Sequence, residues 1–162
     1  MQDADTGTTK TLDGEGLHIG IVRARFNDAL TRQLEQACLA ELAVLGVAAK
    51  HIRRLDVPGA LEVPLALKVL ADSDEFDALV ALGCVIRGET YHFEIVSNES
   101  ARGIMDLTTG KRLCIGNGVL TTEDDEQAWA RARMSEGDKG GGAARAALSM
   151  IALKQQLMGV KR

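Results

Sequence analysis

The amino-acid sequence predicts an α/β protein with a doubly wound parallel sheet. Apolar runs typical of buried strands alternate with segments of helical periodicity, and the connections between them are short. Each parallel pair of strands needs a right-handed crossover, which the helical segments supply. The run FDALVALGCVI, residues 76–86, is apolar almost throughout, as expected of a central strand covered on both faces. We therefore expect helices on both sides of one sheet.

Four strands are predicted, over residues 17–23, 47–57, 76–86 and 111–120. The first, LHIGIVR, is mainly apolar and predicts a buried strand. The second, VAAKHIRRLDV, is more polar, and Pro58 stops it because proline cannot donate to a sheet. Four strands make a narrow sheet, in which the apolar third strand belongs at the centre.

Helices alternate with these strands, over residues 28–45, 59–72, 91–107, about 122–133 and from about 143 onward. Asp28 stands near the start of the first helix and Gly46 just past its end. Pro64 is tolerated in the second helix only near the first turn. Thr122 and Asp125 have the spacing of a capping box for the fourth helix. The stretch SEGDKGGG then predicts a break before the last helix.

The composition limits the classes of partner. The chain has 162 residues, a formal net charge of −4 and no run of basic residues, which argues against nucleic acid or an anionic membrane. No apolar run reaches the ~18 residues of a membrane span. The polar, acidic residues 1–16 predict a flexible tail, and residues 17–162 predict a single domain. A small soluble ligand is the expected partner.

The three cysteines, Cys38, Cys84 and Cys114, lie far apart within apolar segments. That placement favours small buried residues over metal ligands or a disulfide framework, and it fits a reducing cytoplasm. The helices are rich in alanine, and only 3% of the residues are aromatic. We expect part of the apolar surface to be buried in a homo-oligomer, although such helices also pack well within a monomer.

Residues typical of binding sites follow each predicted strand. Ligands of open α/β sheets bind beyond the carboxyl ends of the strands, where helix N-termini also point. The groups at those ends are Phe26-Asn27, Gly59 to Glu62, Arg87 to His92 and Gly116 to Gly118. We expect all four groups to converge on one edge of the sheet. His18 and His51 are expected within strands and are interpreted as structural.

The segment RGETYH, residues 87–92, is the first candidate for an anion site. Gly88, Glu89 and Thr90 open the third predicted helix, where backbone N–H groups and the threonine hydroxyl can hold a phosphate. Glu89 would then point away, because its charge repels an anion. An ordinary helix cap explains the same residues. His92 is either a proton-transfer residue beside that anion or a packed histidine.

Three further side chains have two interpretations each. Phe26 is either a stacking platform for a planar ring or a hydrophobic staple on the first helix. Arg131 and Lys139 are solvated charges unless a ligand engages them. The stretch GDKGGG lacks the spacing of a phosphate-binding P-loop, and the sequence has no GxGxxG fingerprint. Nucleotide hydrolysis and nicotinamide chemistry therefore lack their usual signatures.

Taken together, five stretches resemble the lumazine synthase family of riboflavin biosynthesis. They are GIVRARFN, VPGALEVP, ALGCVIRGETYHFEIVSNESARGI, NGVLTTEDDEQAWARA and GDKGGGAA, which cover nearly all of the chain from residue 17. As an ordered set they are highly specific. The resemblance implies a three-layer flavodoxin-like sandwich whose four-stranded parallel sheet has the order 2-1-3-4.

The resemblance also implies a reaction. The family condenses 5-amino-6-(D-ribitylamino)uracil with 3,4-dihydroxy-2-butanone 4-phosphate to 6,7-dimethyl-8-ribityllumazine, phosphate and water, without a metal or organic cofactor. By resemblance, His92 transfers protons, and the residues that hold the phosphate are Gly88, Glu89, Thr90 and Arg131. The pyrimidine and its ribityl chain are contacted by Phe26, Ala60, Leu61, Glu62, Cys84, Val85, Ile86, Asn117 and Lys139.

Assembly follows from the resemblance too. Family members are pentamers, pairs of pentamers or shells of twelve pentamers. In these assemblies Asn117 and Arg131 reach the site of the neighbouring subunit. Riboflavin synthase is a further expected partner. Asn117 stands where many members carry phenylalanine, so its contact with the pyrimidine stays open. The alternatives are a non-catalytic flavin- or lumazine-binding protein on the same scaffold and a related riboflavin synthase. The presence of Thr90, His92 and Arg131 favours lumazine synthase over both.

Overall fold

The computed structural model describes residues 11–159 and confirms a four-stranded parallel sheet. The strands are β1 Ile19–Ala24, β2 Ile52–Val57, β3 Ala78–Ile86 and β4 Ile115–Thr122. Their order is β2-β1-β3-β4, as the resemblance implied, and each neighbouring pair is parallel. Every residue of the central strand β1 is buried, because helices cover both of its faces.

The helices form the two outer layers of the sandwich. They are α1 Asp28–Val44, α2 Val63–Asp72, α3 His92–Lys111, α4 Asp125–Ala132 and α5 Lys139–Met158. One apolar cluster joins the sheet to α1, α4 and α5, and a second cluster joins it to α2 and α3. Among residues 11–159, no helix combines the length and apolar character needed to cross a bilayer.

The second strand is shorter than predicted. A 3-10 turn covers Ala49–His51, and β2 begins only at Ile52, which pairs with Ile19 at the start of β1. Residues before Ile52 have no strand beside them, so they turn instead of extending the sheet. His18 precedes β1 and His51 ends the turn, so the prediction that both lie within strands is wrong. Their rings stack with centroids 4.2 Å apart.

The fourth strand is shifted relative to the prediction. Helix α3 continues to Lys111, and Arg112 ends it in the left-handed conformation with φ 54°. The predicted start of the strand is therefore helical, and β4 runs from Ile115 to Thr122. The cap of α4 also differs: Asp124 accepts a hydrogen bond from the Gln127 N–H at 2.8 Å, whereas Thr122 is the last residue of β4.

The predicted break SEGDKGGG is confirmed only in its first half, because residues 133–138 separate α4 from α5, whereas Lys139 and the three glycines after it belong to α5. The reason is packing. A Cβ on Gly140 would lie 2.1 Å from the carbonyl oxygen of Leu34 on α1, so only glycine allows the two helices to approach this closely. Asp138 precedes the helix, and its carboxylate accepts from the Gly141 N–H at 3.3 Å.

Most of the predicted tail, residues 1–10, lies outside the described residues. Closer to β1, Leu12 packs against the core, and the Gly14 N–H donates to the carbonyl oxygen of Leu45 at 2.7 Å. The boundary at residue 17 stays a prediction. The three cysteines are buried and carry free thiols, as their apolar surroundings indicated.

Candidate active site

Most of the predicted site residues line one of two pockets, which share no lining residue among residues 11–159. The histidine pocket, of about 320 Å³, is lined by Phe26, Asn27, Gly59, Ala60, Leu61, Glu62, Cys84, Val85, Ile86, His92 and Val96. The arginine pocket, of about 560 Å³, is lined by Asn117, Gly118, Val119, Leu120, Thr121, Arg131, Gly137, Lys139, Gly142, Ala143 and Ala146. The expectation that all four groups converge on one edge is therefore wrong.

Strand register explains the division. Asn117 pairs with Ala81 in the middle of β3, whereas Ile86 at the end of β3 pairs with Thr122. Residues 116–118 therefore lie well before the carboxyl edge of the sheet. The groups that follow β1 and β2 do meet at that edge, where they form the histidine pocket together with the end of β3 and His92.

Phe26 forms one wall of the histidine pocket. It lies in the turn between β1 and α1, with 72% of its surface exposed, and belongs to neither apolar cluster. Its ring covers Gly59, where a Cβ would stand 3.4 Å from the ring edge. Its N–H donates to the carbonyl oxygen of Pro58 at 3.2 Å. This arrangement favours the stacking platform over the hydrophobic staple, because the ring is presented outward.

The opposite wall is the end of β3. Pairing between β1 and β3 stops at Leu82, so the backbone from Cys84 to Ile86 extends beyond β1 and has no strand on that side. Asn27 Nδ2 donates to the Cys84 carbonyl oxygen at 3.0 Å. Burial raises the pKa of the Cys84 thiol to about 12, so this thiol is protonated near neutral pH and forms part of the wall rather than a nucleophile.

The floor of the histidine pocket is the 3-10 turn Ala60–Glu62, which leads into α2. Glu62 Oε2 accepts from the Gly59 N–H at 2.9 Å and so fixes the turn. Ala60 is buried, and Leu61 is 41% exposed. Among residues 11–159, no lysine or arginine lines this pocket. The pocket therefore presents an aromatic face, backbone polar groups and one carboxylate.

His92 lies at the mouth of the histidine pocket as the first residue of α3. The predicted anion-binding residues Gly88, Glu89 and Thr90 precede the helix, are exposed and line neither pocket. Tyr91 stands at the N-cap position, is 71% exposed and makes no side-chain cap. Residues 88–91 therefore provide no ordinary side-chain cap to α3. In the first turn of α3, the Glu94 carboxylate accepts from its own backbone N–H, which leaves the N–H groups before Glu94 for an anion.

Arg87 is a residue near the site to which the sequence reasoning gave no role. Its guanidinium forms ion pairs with Glu94 on α3 and, at 2.5 Å, with Glu123 after β4. It also lies 4.2 Å from the centroid of the Phe93 ring. The hydrogen bond from Arg87 holds the pKa of Glu94 below its usual range. Arg87 therefore ties the end of β3 to α3, and its charge is already compensated.

The arginine pocket differs in its charges. Arg131 is half-buried on α4, and its Nη1 donates to the backbone carbonyl of Gln127 at 2.9 Å. Within residues 11–159, no carboxylate lies at ion-pair distance from Arg131 or from Lys139. Asn117 Oδ1 accepts from the Val119 N–H at 3.0 Å. Two uncompensated cations facing one pocket are suited to an anionic ligand.

The same helix carries the only tryptophan of the chain, Trp129. Its ring is partly buried against the apolar cluster of α1, α4 and α5. The guanidinium of Arg133 lies 5.6 Å from its ring centroid. Packing of the indole therefore fixes the side of α4 that faces the core and leaves Arg131 at the pocket.

Comparison with known proteins agrees with the resemblance. The 6,7-dimethyl-8-ribityllumazine synthase family model matches residues 16–155. Proteins of that name from Methylibium petroleiphilum and Acidovorax sp. are each 55% identical to this chain, and each alignment covers 97% of this chain and 99% of the relative. The protein of that name from Ralstonia nicotianae is 54% identical over 93% of this chain and 89% of its own length. The chain therefore belongs to the 6,7-dimethyl-8-ribityllumazine synthase family.

Proposed function

We propose that the chain condenses 5-amino-6-(D-ribitylamino)uracil with 3,4-dihydroxy-2-butanone 4-phosphate to 6,7-dimethyl-8-ribityllumazine, phosphate and water. Family membership supports this activity, and the names of the relatives favour it over a non-catalytic binding protein. The observation that carries the proposal is the histidine pocket, in which the exposed ring of Phe26 and the imidazole of His92 face one cavity.

The histidine pocket takes the pyrimidine substrate. Phe26 stacks on the planar ring, and the backbone of Val85 and Ile86 beyond β1 supplies donors and acceptors to its edge. Ala60, Leu61 and Glu62 line the path of the ribityl chain, where the carboxylate accepts from hydroxyl groups. The volume of about 320 Å³ is at the lower end of the range for small-molecule pockets.

The butanone phosphate binds at the start of α3. Gly88, Glu89 and Thr90 hold the phosphate with backbone N–H groups and the threonine hydroxyl, next to a helix end without a side-chain cap. A phosphate dianion needs a cation as well, and the described part of the chain places no lysine or arginine in the lining of the histidine pocket. Arg131 of a neighbouring copy supplies that charge in this proposal.

The active site thus forms between two copies of the chain in a pentamer. The division of the site residues between two pockets supports this arrangement, because the substrates need both sets of groups. Lys139 and Asn117 line the arginine pocket and accompany Arg131 toward the pyrimidine. We place the enzyme in the cytoplasm, in keeping with its free thiols, and riboflavin synthase is a further partner in this proposal.

The chemistry needs positioned partners and proton transfer more than a strong nucleophile. The substrate amine attacks the ketone to give an imine, phosphate leaves by elimination, and ring closure follows. His92 at the helix start takes and returns protons beside the departing phosphate. Arg131 and the N–H groups of α3 stabilise the negative charge that develops on that phosphate.

The experiment that tests the proposal mixes the purified chain with both substrates and follows the fluorescent lumazine product. We expect product to form well above the spontaneous rate. His92→Ala should lower this rate by about a hundredfold or more, the typical effect of losing an acid–base group, while inhibition by inorganic phosphate stays within about twofold. Equal loss of turnover and of phosphate affinity would contradict the role given to His92.

A further inference from the structure

The guanidinium of Arg23 lies at the centre of a polar cluster that takes no part in the proposed chemistry. Only 2% of its side chain is exposed. Nε and Nη2 donate to the two carboxylate oxygens of Asp56 at 3.1 and 2.7 Å, and Nη1 donates to Asp28 at 2.7 Å and to the Thr31 hydroxyl at 3.1 Å. Glu35 lies 3.8 Å from Nε. A charge buried this deeply requires such a set of partners.

These contacts bracket the turn that carries Phe26. Arg23 belongs to β1 and Asp28 is the first residue of α1, so their ion pair closes the turn from the side of the core. Within the turn, Asn27 adopts the left-handed conformation, φ 56°, without a side-chain cap to α1. That conformation costs free energy for a residue other than glycine, and surrounding contacts must hold it. The Asn27 bond to Cys84 holds it from the pocket side.

The same guanidinium also fixes the strand on which the turn rests. Asp56 of β2 pairs in register with Arg23, so the bidentate bond joins the ends of β1 and β2. Directly after these residues, the Arg25 N–H donates to Val57 at 2.9 Å, and the Phe26 N–H donates to Pro58. The Arg23 side chain therefore contacts both elements that flank the aromatic platform, β2 through Asp56 and α1 through Asp28.

We propose that Arg23 is a positioning residue for the pyrimidine substrate. It touches no ligand, and it holds the turn so that the Phe26 ring keeps its orientation over the pocket. The inference rests on the proposed function, because Phe26 is assigned to the pyrimidine there. Affinity for the pyrimidine, but not for the butanone phosphate, then depends on a buried ion cluster outside the pocket lining.

The test compares Arg23→Met with a matched control, Arg32→Met. Arg32 is exposed and also binds Asp28, through Nε at 2.7 Å. We expect Arg23→Met to raise KM for the pyrimidine roughly three- to tenfold, the size of a lost aromatic contact, with KM for the butanone phosphate and kcat within about twofold. In a Phe26→Ala background, the same substitution should add less than about twofold, because both act through one ring. Arg32→Met should leave both KM values unchanged.

Other outcomes overturn the inference. An equal rise in both KM values, unchanged KM values, or an effect that adds fully to Phe26→Ala would each show that Arg23 does not act through the platform. If Arg23→Met does not fold, the same KM and kcat values are measured for Asp28→Asn, because that substitution breaks the ion pair across the turn. If the unsubstituted chain forms no lumazine, the proposed activity fails, and affinity for 6,7-dimethyl-8-ribityllumazine in these variants still decides the role of Arg23.

Discussion

The histidine pocket and the arginine pocket lie on one small domain and differ in almost every physical property. The first offers an aromatic face and open backbone groups, and none of the described residues in its lining is a lysine or an arginine. The second contains Arg131 and Lys139, for which no carboxylate partner is found among residues 11–159. Each pocket therefore lacks what the other provides. A planar ring and a phosphate call for both, which is why we place the reaction between two copies.

The two pockets are also held in place by different forces. Beside the histidine pocket, the buried Arg23 cluster fixes the turn of Phe26 through charge-assisted hydrogen bonds. Beside the arginine pocket, backbone packs directly on backbone. A Cβ on Gly116 of β4 would lie 2.0 Å from the carbonyl oxygen of Ala143 on α5. Position is thus set by electrostatics in one pocket and by steric fit in the other.

The largest expected effect tests whether the pockets act from separate chains. His92→Ala and Arg131→Ala should each lower turnover by about a hundredfold or more when expressed alone. Co-expressed in equal amounts, the two variants should regain about a quarter of normal activity, because random assembly brings two intact halves together at that fraction of interfaces. Product formation by the mixed protein measures this.

The control for this experiment is a single chain that carries both substitutions, co-expressed with the unsubstituted chain. It separates complementation from simple dilution. If the two single variants do not rescue each other in oligomers shown to contain both, the two pockets of one site lie on the same chain and the proposed shared site is wrong.

A smaller effect tests the close packing of α5, the helix beside the arginine pocket. Gly140→Ala should destabilise the chain by about 1–3 kcal/mol, because the added methyl group meets the Leu34 carbonyl and forces α1 and α5 apart. Gly142→Ala is the matched control in the same helical turn. The nearest atom to its Cβ is Arg145 Nη2 at 3.9 Å, so stability should be unchanged or slightly higher. Urea unfolding measures both, and equal midpoints would contradict the close contact.

The smallest effect tests the ion pairs of the Arg23 cluster through the pH dependence of stability. Hydrogen bonds from Arg23 and then Arg32 hold the pKa of Asp28 below its usual range. The stability that this carboxylate contributes is complete above the ordinary carboxyl pKa of about 4 and is lost as pH falls through the lower folded value. Asp28→Asn should therefore lose less stability than the unsubstituted chain between pH 5 and about pH 3. Melting temperatures of the two chains across that pH range measure this difference. A constant difference between them at every pH would contradict the ion pair.

Periodicity predicted much of the fold. The apolar run 76–86 contains β3, Ala78–Ile86, which lies inside the sheet between β1 and β4, and the alternation of strands and helices is confirmed. Where prediction failed, a long-range contact decided the outcome. The glycines after Asp138 suggested a break, but Gly140 is helical because of a contact with α1, far away along the chain. A polar segment before Ile52 looked like strand, but β1 offers it no partner.

The sequence indicated which strand ends carry the candidate residues, but it did not indicate how all of those residues are arranged in space. The local patterns after β1, β2 and β3 brought Phe26, Glu62 and His92 to one pocket, as strand ends in parallel sheets require. The position of Asn117 depends on the register of β4 against β3, which no local pattern reveals. The Arg23 cluster joins residues that lie 33 positions apart along the chain. In the sequence, Arg23 is only a single charge in an apolar strand.

The aromatic residues of this chain have a practical consequence. Its single tyrosine, Tyr91, stands exposed beside His92, and its single tryptophan, Trp129, lies on the helix of Arg131. A different natural chromophore thus lies near each pocket. Indole emission, excited at wavelengths where tyrosine does not absorb, reports on the helix of the arginine pocket. That helix can therefore be observed optically, apart from the loop before α3, without introducing a label.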